Sequence, residues 1–415
     1  MSGDRIRTVA VVGDGPAGTM VATLLARAGL RVALFSRGRP NALVVGESLV
    51  PAVIPFLREL GIEDEVRKYS TLKPGATFVM GPGHSFEIDF ATACTRVPGY
   101  AYNVPRERFD ATLLTECQQS GAQVVKAAAH MTKDSGDRIR LLEETLAAAG
   151  FDAQPDLIVD ASGRARIVAR LLGLPTDLGT RRDTALFSHC EGVPLDREGH
   201  VHSDRLEQGW CWRIPLPGRV SVGIVAHPDV LSTRGETPEA QFDAVLSGDS
   251  YLRNLAPGAR RIAPVMRYTN YQLTTLRGVG PNWALVGDAF GFIDPVFSSG
   301  LYLAMHSAHS LARAVLSGSP RALRRYAGRH ERHLAAWRAA ISYFYDGTFF
   351  ALLQMRDRAE KSRFGHLVNS HLSRHLPRVF TGEASQHRYD PWLLAALARA
   401  ARREPGVDSF GIRDA

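Results

Sequence analysis

Residues 8–13 (TVAVVG) form an uncharged run rich in β-branched side chains, the pattern of a strand buried on both faces. An apolar stretch of helical length, 17–28, follows and Gly29 closes it; residues 31–35 (RVALF) then repeat the strand pattern. Glycines at 13, 15 and 18 fill the turn between strand and helix, so a GxGxxG sits inside a strand–turn–helix–strand unit of about 30 residues. Each glycine has its own physical role. Gly13 allows the tight turn, Gly15 lets a pyrophosphate approach the backbone, and Gly18 lets helix and strand pack closely. Pro16 and Ala17 open a helix whose unpaired N–H groups face the phosphates. The unit predicts a dinucleotide site.

Beyond it, 50–60 reads as a helix stopped by Gly61, 73–102 as short strands and turns, 106–121 as a helix and 122–125 as a strand. Residues 155–163 (PDLIVDASG) read as a strand ending in a turn that carries Asp160. Several runs in 184–275 alternate polar and apolar positions, which predicts an antiparallel sheet. The strand 283–286 enters Gly287-Asp288, and a long helical region starts near Leu301 and continues, with breaks, to about residue 400. The expected fold is α/β. It has a discontinuous Rossmann-like dinucleotide-binding domain (1–78, 100–180 and 276–325), an antiparallel substrate-binding sheet (79–99 and 181–275) and a helical C-terminal part (326–415).

Composition narrows the function classes. The 415 residues exceed one ordinary domain of roughly 100–200 residues. No uncharged apolar run reaches the about 18 residues of a membrane span, and the N-terminus lacks a secretory h-region, so a cytoplasmic protein is expected. The net charge of +8 is dispersed without a basic run or a nucleic-acid-binding motif; it suits anionic cofactors and acidic partners rather than nucleic acid. Cys94, Cys117, Cys190 and Cys211 are widely spaced, and His84, His189 and His202 lack ligand spacing, so no metal site is expected. One position departs from the dinucleotide pattern: where an acidic residue normally closes the second strand to hold the ribose, this chain has Ser36 and Arg37.

Three separated motifs, Gly13-Asp14-Gly15-Pro16-Ala17-Gly18, Asp160-Ala161-Ser162-Gly163 and Gly287-Asp288-Ala289, together with Arg106 in PRERFD, resemble the FAD-binding set of the flavin-dependent aromatic hydroxylase superfamily, the para-hydroxybenzoate hydroxylase type. The resemblance covers about residues 8–320 and implies FAD, with Asp288 on the ribityl chain and Arg106 or Arg108 beside the cofactor. Further residues resemble the flavin-dependent halogenases of the phenol and pyrrole branch: Gly209-Trp210-Cys211-Trp212-Arg213-Ile214-Pro215, Gly46-Glu47-Ser48-Leu49, Lys73-Pro74-Gly75-Ala76-Thr77-Phe78, and Asp294-Pro295-Val296-Phe297-Ser298-Ser299-Gly300.

That resemblance implies a reduced flavin delivered by a separate flavin reductase. Oxygen then forms a C4a-hydroperoxide, halide attacks it, and the resulting hypohalous acid travels to Lys73, which directs the halogen onto an electron-rich phenol or pyrrole, free or tethered to a carrier protein. A lysine suits this chemistry because its ammonium can hydrogen-bond hypohalous acid and its amine can be halogenated; burial raises the amine fraction. Ser299 and Gly300 are the candidate halide site at a helix start, with a helix cap as the other reading. Trp210 and Trp212 alternate on one strand face and either wall the passage or fill the core. Glu47 either contacts the flavin or lines the passage, with a helix cap as the other reading, while Ser48, Pro295 and Gly300 are expected near the flavin. Tryptophan halogenases carry a glutamate in the turn that here reads Phe297-Ser298-Ser299-Gly300, which disfavours free tryptophan. Two alternatives stay open: a monooxygenase that hydroxylates a phenol or a peptide-bound aromatic, and a flavin-binding assembly factor without catalysis. Aromatics at helical spacing (Trp337, Tyr343, Phe344, Phe349, Phe350) either form a core seam or cover an aromatic substrate pocket, and an apolar stripe with arginines at 392–403 either docks on the body or meets a partner.

Overall fold

The computed structural model describes residues 6–38, 43–81, 84–269, 272–348, 378–383 and 399. Five strands form one sheet in the order Trp283–Leu285, Leu157–Asp160, Thr8–Val12, Arg31–Phe35, Gln123–Val125. All neighbours are parallel. A parallel sheet is covered on both faces, which is why its central strand is apolar throughout; Val9, Ala10 and Val11 have no exposed surface. The helices Pro16–Arg27 and Ser299–Leu316 pack against each other over this sheet. The first turn is set by close backbone contact. Gly13 has φ +111°, and a Cβ there would lie 2.4 Å from the Ala161 carbonyl oxygen; a Cβ on Gly18 would lie 1.8 Å from the Gly13 carbonyl oxygen. Only glycine fits either position.

The second sheet has eight strands. Seven run in the order Arg260–Arg261, Thr184–Glu191, Arg219–Ala226, Gly209–Leu216, Val201–Leu206, Gly75–Gly81, His84–Asp89, and Met266–Thr269 adds to Thr184–Glu191. It is antiparallel as expected except at one place, where Val201–Leu206 pairs in parallel with Gly75–Gly81. Gly75–Gly81 lies wholly in this sheet, so residues 75–78 pair with its strands and not with the parallel sheet. The strand Leu273–Thr275, also expected in the large sheet, instead joins Thr176–Asp177 and Gly291–Phe292 in a three-stranded sheet.

Side-chain alternation divides the large sheet between two cores. Ala185, Phe187, Trp210, Trp212 and Ile214 face the main core, whereas Leu186, Cys190, Cys211, Val222 and Ile224 face the opposite way. That second face is covered by helices Pro228–Ser232, Pro238–Gly248 and Ser250–Leu255, which the alternating pattern of 184–275 does not announce. They are short and carry their own caps, with Thr237 and Asp249 accepting from the first-turn N–H groups.

The C-terminal helix Pro320–Tyr345 buries Trp337 and Phe344 in the main core, while Tyr343 is half-buried. Phe349, Phe350 and the stripe at 392–403 lie outside the described residues, Arg399 excepted. Among the described residues no helix is long and apolar enough to cross a membrane.

One buried ion pair ties two strands of the large sheet. Arg213 donates through Nε and Nη2 to the two Asp204 carboxylate oxygens at 2.6 and 3.0 Å, with no exposed surface on either side chain. Asp204→Asn removes the nearer carboxylate and leaves the buried guanidinium with only the more distant Asp196, 3.5 Å away, among the described residues; a loss of about 3 kcal/mol of stability is expected, read from the shift of the urea unfolding midpoint.

Candidate functional site

A cavity of about 510 Å³ opens where the carboxyl ends of the parallel strands meet the inner face of the large sheet. This is the place where open α/β sheets bind ligands, outside the carboxyl ends of their strands. Gly13 after the first strand, Ala161–Gly163 after Leu157–Asp160 and Gly287–Asp288 after Trp283–Leu285 supply one wall; Phe187, Trp210 and Trp212 supply the other.

The glycine turn brings Gly13, Gly15, Pro16 and Ala17 to the cavity, with Gly15 as the helix N-cap and Pro16 at the first helical position. Gly18 lies one turn in and makes the close packing contact instead. At the end of the second strand, Arg37 lines the cavity, but Ser36 does not. The Ser36 hydroxyl donates to Asp14 Oδ2 at 2.7 Å, and Asp14 itself lines the cavity. A carboxylate therefore stands at the end of the second strand after all, carried by the turn rather than by the strand. The residue between the first two glycines was its signal.

Asp160, expected at the cofactor, has no exposed surface and does not line the cavity. Its oxygens accept from the Ser162 and Val168 backbone N–H groups at 2.9 and 2.8 Å, which fixes the turn whose next residues do line it. Arg106 lines the cavity and is braced by Asp110 at 3.1 and 3.0 Å and by the Val45 carbonyl at 2.5 Å. Arg108 instead lies over the Tyr69 ring, 4.5 Å from its centroid. The geometry thus separates the two arginines. Asp288 faces the cavity, and burial pushes its carboxyl up to about 6 against the opposing pull of Arg164 and Arg106.

Glu47 and Ser48 both line the cavity, and neither caps a helix. Glu47 Oε1 lies 2.7 Å from His189 Nε2, and both side chains are buried. His189, which lacks metal-ligand spacing in the sequence, is therefore the partner of a cavity carboxylate; they are 142 residues apart.

Lys73 does not line the cavity. Its strand, Thr71–Lys73, pairs with Ala101–Asn103, and its Nζ donates to Ser48 Oγ at 2.8 Å and to the Leu49 carbonyl at 2.9 Å. The ammonium also sits over the Phe90 ring, 5.4 Å from its centroid. Lys73 is 2% exposed and has no carboxylate partner among the described residues, so burial alone lowers its pKa to about 7. A buried amine thus stands one hydrogen bond behind the cavity wall, with Ser48 between.

Trp210 and Trp212 both line the cavity, with ring centroids 5.8 Å apart. Trp212 fits because the residue opposite it on the next strand is Gly223, where a Cβ would come 2.0 Å from the indole. The Trp210 indole donates to the Tyr345 hydroxyl at 3.1 Å, and that hydroxyl donates to the Asp294 carboxylate at 3.1 Å. Beyond Asp294, Pro295, Ser298 and Gly300 line the cavity. Ser298, the N-cap of Ser299–Leu316, has φ 55°, a left-handed conformation that turns the chain sharply into the helix. Ser299 lies behind the wall, and its buried hydroxyl has no hydrogen-bond partner among the described residues.

The sequence model of the family described as Tryptophan halogenase matches residues 8–99 and 85–398. The chain is 28% identical to a tryptophan 2-halogenase of Chondromyces crocatus over 81% of its length and 67% of that protein. It is 26% identical to the 1H-pyrrole-2-carbonyl-[peptidyl-carrier protein] chlorinase of Pseudomonas fluorescens, covering 81% and 83%. The structure of the myxobacterial chondrochloren halogenase CndH, an FAD-dependent halogenase, superposes with a TM-score of 0.70 at 27% identity over 83% of each chain.

The cavity's own residues fit FAD. The Gly13–Gly18 turn admits a pyrophosphate, and Asp288 turns a carboxyl group toward the cavity, where a ribityl hydroxyl can donate to it. Losing one hydrogen bond to a charged group weakens binding by about 10- to 100-fold, the change expected in the FAD dissociation constant of Asp288→Ala measured by flavin fluorescence.

Proposed function

The chain belongs to the tryptophan halogenase family, the flavin-dependent halogenases, and from this premise we propose that it halogenates an electron-rich phenol or pyrrole, with Lys73 directing the halogen. It is an FAD-dependent enzyme that uses oxygen and halide. The observation that carries the role of Lys73 is its placement: a buried amine without a carboxylate partner among the described residues, one hydrogen bond behind the flavin cavity.

Bound and reduced, FAD supplies the oxygen activation that converts halide to hypohalous acid. The residues of the chain divide the remaining work. The start of the helix Ser299–Leu316, with Gly300 at the cavity and the Ser299 hydroxyl just behind it, offers donors to a halide ion. Trp210 and Trp212 keep a ring-sized substrate away from the flavin while leaving room for a small oxidant. Ser48 and Glu47 form the stretch of wall next to Lys73. At neutral pH much of Lys73 is amine, whose lone pair attacks the halogen of hypohalous acid; the N–halogen bond forms, the O–halogen bond breaks and water leaves. The aromatic carbon then takes the halogen from nitrogen, and the proton that the ring loses ends on that nitrogen, which restores the amine.

The turn Phe297-Ser298-Ser299-Gly300 carries no carboxylate, which favours phenols and pyrroles over free tryptophan. The relative named for a pyrrole on a peptidyl carrier, and the net charge of +8, support a ring presented on an acidic carrier protein. No second GxGxxG unit is present for a nicotinamide, so a separate flavin reductase supplies the reduced cofactor.

The test combines the protein with a flavin reductase, FAD, NADH, oxygen, bromide and a panel of phenols, pyrroles and carrier-bound aromatics. Mass spectrometry is expected to find a bromine isotope doublet, reduced at least about 100-fold in Lys73→Met, the scale of a positioned acid–base group. Products carrying oxygen without bromine would make the enzyme a hydroxylase. The pH dependence follows from the amine. With its pKa near 7, Lys73 is protonated below that value and loses its lone pair, so product formation rises as pH increases through about 7. The rate of flavin oxidation, which does not require the amine, lacks that inflection.

A further inference from the structure

Away from the cavity, two long helices place three imidazoles together. His306 is on Ser299–Leu316, and His330 and His333 are on Pro320–Tyr345. His330 and His333 are three residues apart and share a helix face. One nitrogen of each ring lies within 4.8 Å of the others. His330 and His333 are 2% and 6% exposed. Neither nitrogen of His330 has a hydrogen-bond partner, nor does Nδ1 of His306 or of His333, among the described residues. The surroundings are aromatic: Tyr302, Phe290 and Tyr326 contact the rings.

Buried polar atoms are ordinarily satisfied, and several unsatisfied nitrogens on three rings clustered within 4.8 Å call for a shared partner. We propose that His306, His330 and His333 bind a zinc-class transition-metal ion that staples the two helices. Imidazole nitrogens are suitable ligands for such ions, and a three-histidine set leaves one position for water or hydroxide. Ring centroids 4.5 Å apart for His306–His333 and 6.3 Å for His330–His333 bracket the separation of about 5 Å expected of a tetrahedral set with N–metal bonds near 2 Å. Burial lowers the pKa of His306 to about 4 and of His330 to about 3, and that of His333 well below its usual value, so the rings are neutral at pH 7 as ligands must be. Among the described residues no carboxylate joins the cluster, and a bound hydroxide would halve the charge to be buried.

One contact must change. The Trp337 indole N–H donates to His333 Nε2 at 3.2 Å. If Nε2 ligates, its lone pair is taken; if Nδ1 ligates, Nε2 carries a proton. Either way the indole loses its acceptor, which gives metal binding an optical signature at Trp337.

The experiment uses untagged full-length protein. Elemental analysis after dialysis is expected to give about one zinc per chain. After chelation, added Co²⁺ should produce visible d–d bands of a tetrahedral site, displaced by Zn²⁺, together with a change in tryptophan emission. His330→Gln and His306→Gln should each lose the bands and the zinc, while Trp337→Phe keeps the bands and loses the emission change. Circular dichroism on each variant shows that the fold is retained. Wild-type protein that retains no zinc and gives no Co²⁺ bands would overturn the proposal, leaving the nitrogens to buried water. Bands that survive in both glutamine variants would overturn it as well.

Discussion

The cofactor site depends on one crossing of backbone. At Gly13, Gly18 and Ala161 three segments approach so closely that a Cβ at either glycine would collide with a carbonyl. This approach sets the first helix against the parallel sheet and leaves its N-terminal N–H groups facing the cavity. It also brings the turn after Leu157–Asp160 alongside, pinned by the Asp160 carboxylate. Asp160 is thus needed for the site without touching its contents. The carboxylate that organises a turn and the carboxylate that faces the cavity, Asp288, are different residues in different surroundings.

The opposite wall is governed by the two-residue period of a strand. Alternation sends Trp210 and Trp212 to the cavity and Cys211 to the second core. Space for Trp212 is made by a glycine opposite it, and the orientation of Trp210 is held by Tyr345, at the end of the long C-terminal helix. Tyr345 also holds Asp294, whose carboxyl burial pushes up to about 7, and the cavity-lining turn starts at the next residue. A helix far along the chain thereby fixes both the aromatic wall and the approach to the halide candidate.

Local pattern made much of this legible. The strand–turn–helix–strand unit, the helix after Arg106, the Gly287-Asp288 turn and the tryptophan pair all announce themselves within a few residues, because their geometry is set by short-range sterics and periodicity. What the sequence hid was set by contacts between distant segments. Glu47 and His189 meet across 142 residues, and the place of Lys73 behind Ser48 depends on the pairing of two three-residue strands. The helices over the second face of the large sheet were obscured because their apolar residues lie within a region of alternating strands. Ser36 misled for a related reason: its hydroxyl serves Asp14, and the acidic group arrives from the turn. The His330/His333 spacing was visible, but its third member lies on another helix.

Oxygen activation and halogen placement occur, on this account, at two points, the flavin cavity and the Lys73 amine, separated by the wall that Ser48 forms. The most direct test is to run Lys73→Met with reduced FAD, oxygen and bromide, and to trap escaping hypobromous acid with a small enol while following flavin oxidation. The expected result is that flavin oxidation continues and the enol, present in large enough excess to consume the free oxidant before the ring does, is brominated, with the aromatic substrate left untouched. Loss of enol bromination together with aromatic bromination would place Lys73 in the oxidation step itself, and retained aromatic bromination would remove it from the reaction; either result would contradict the two-point division.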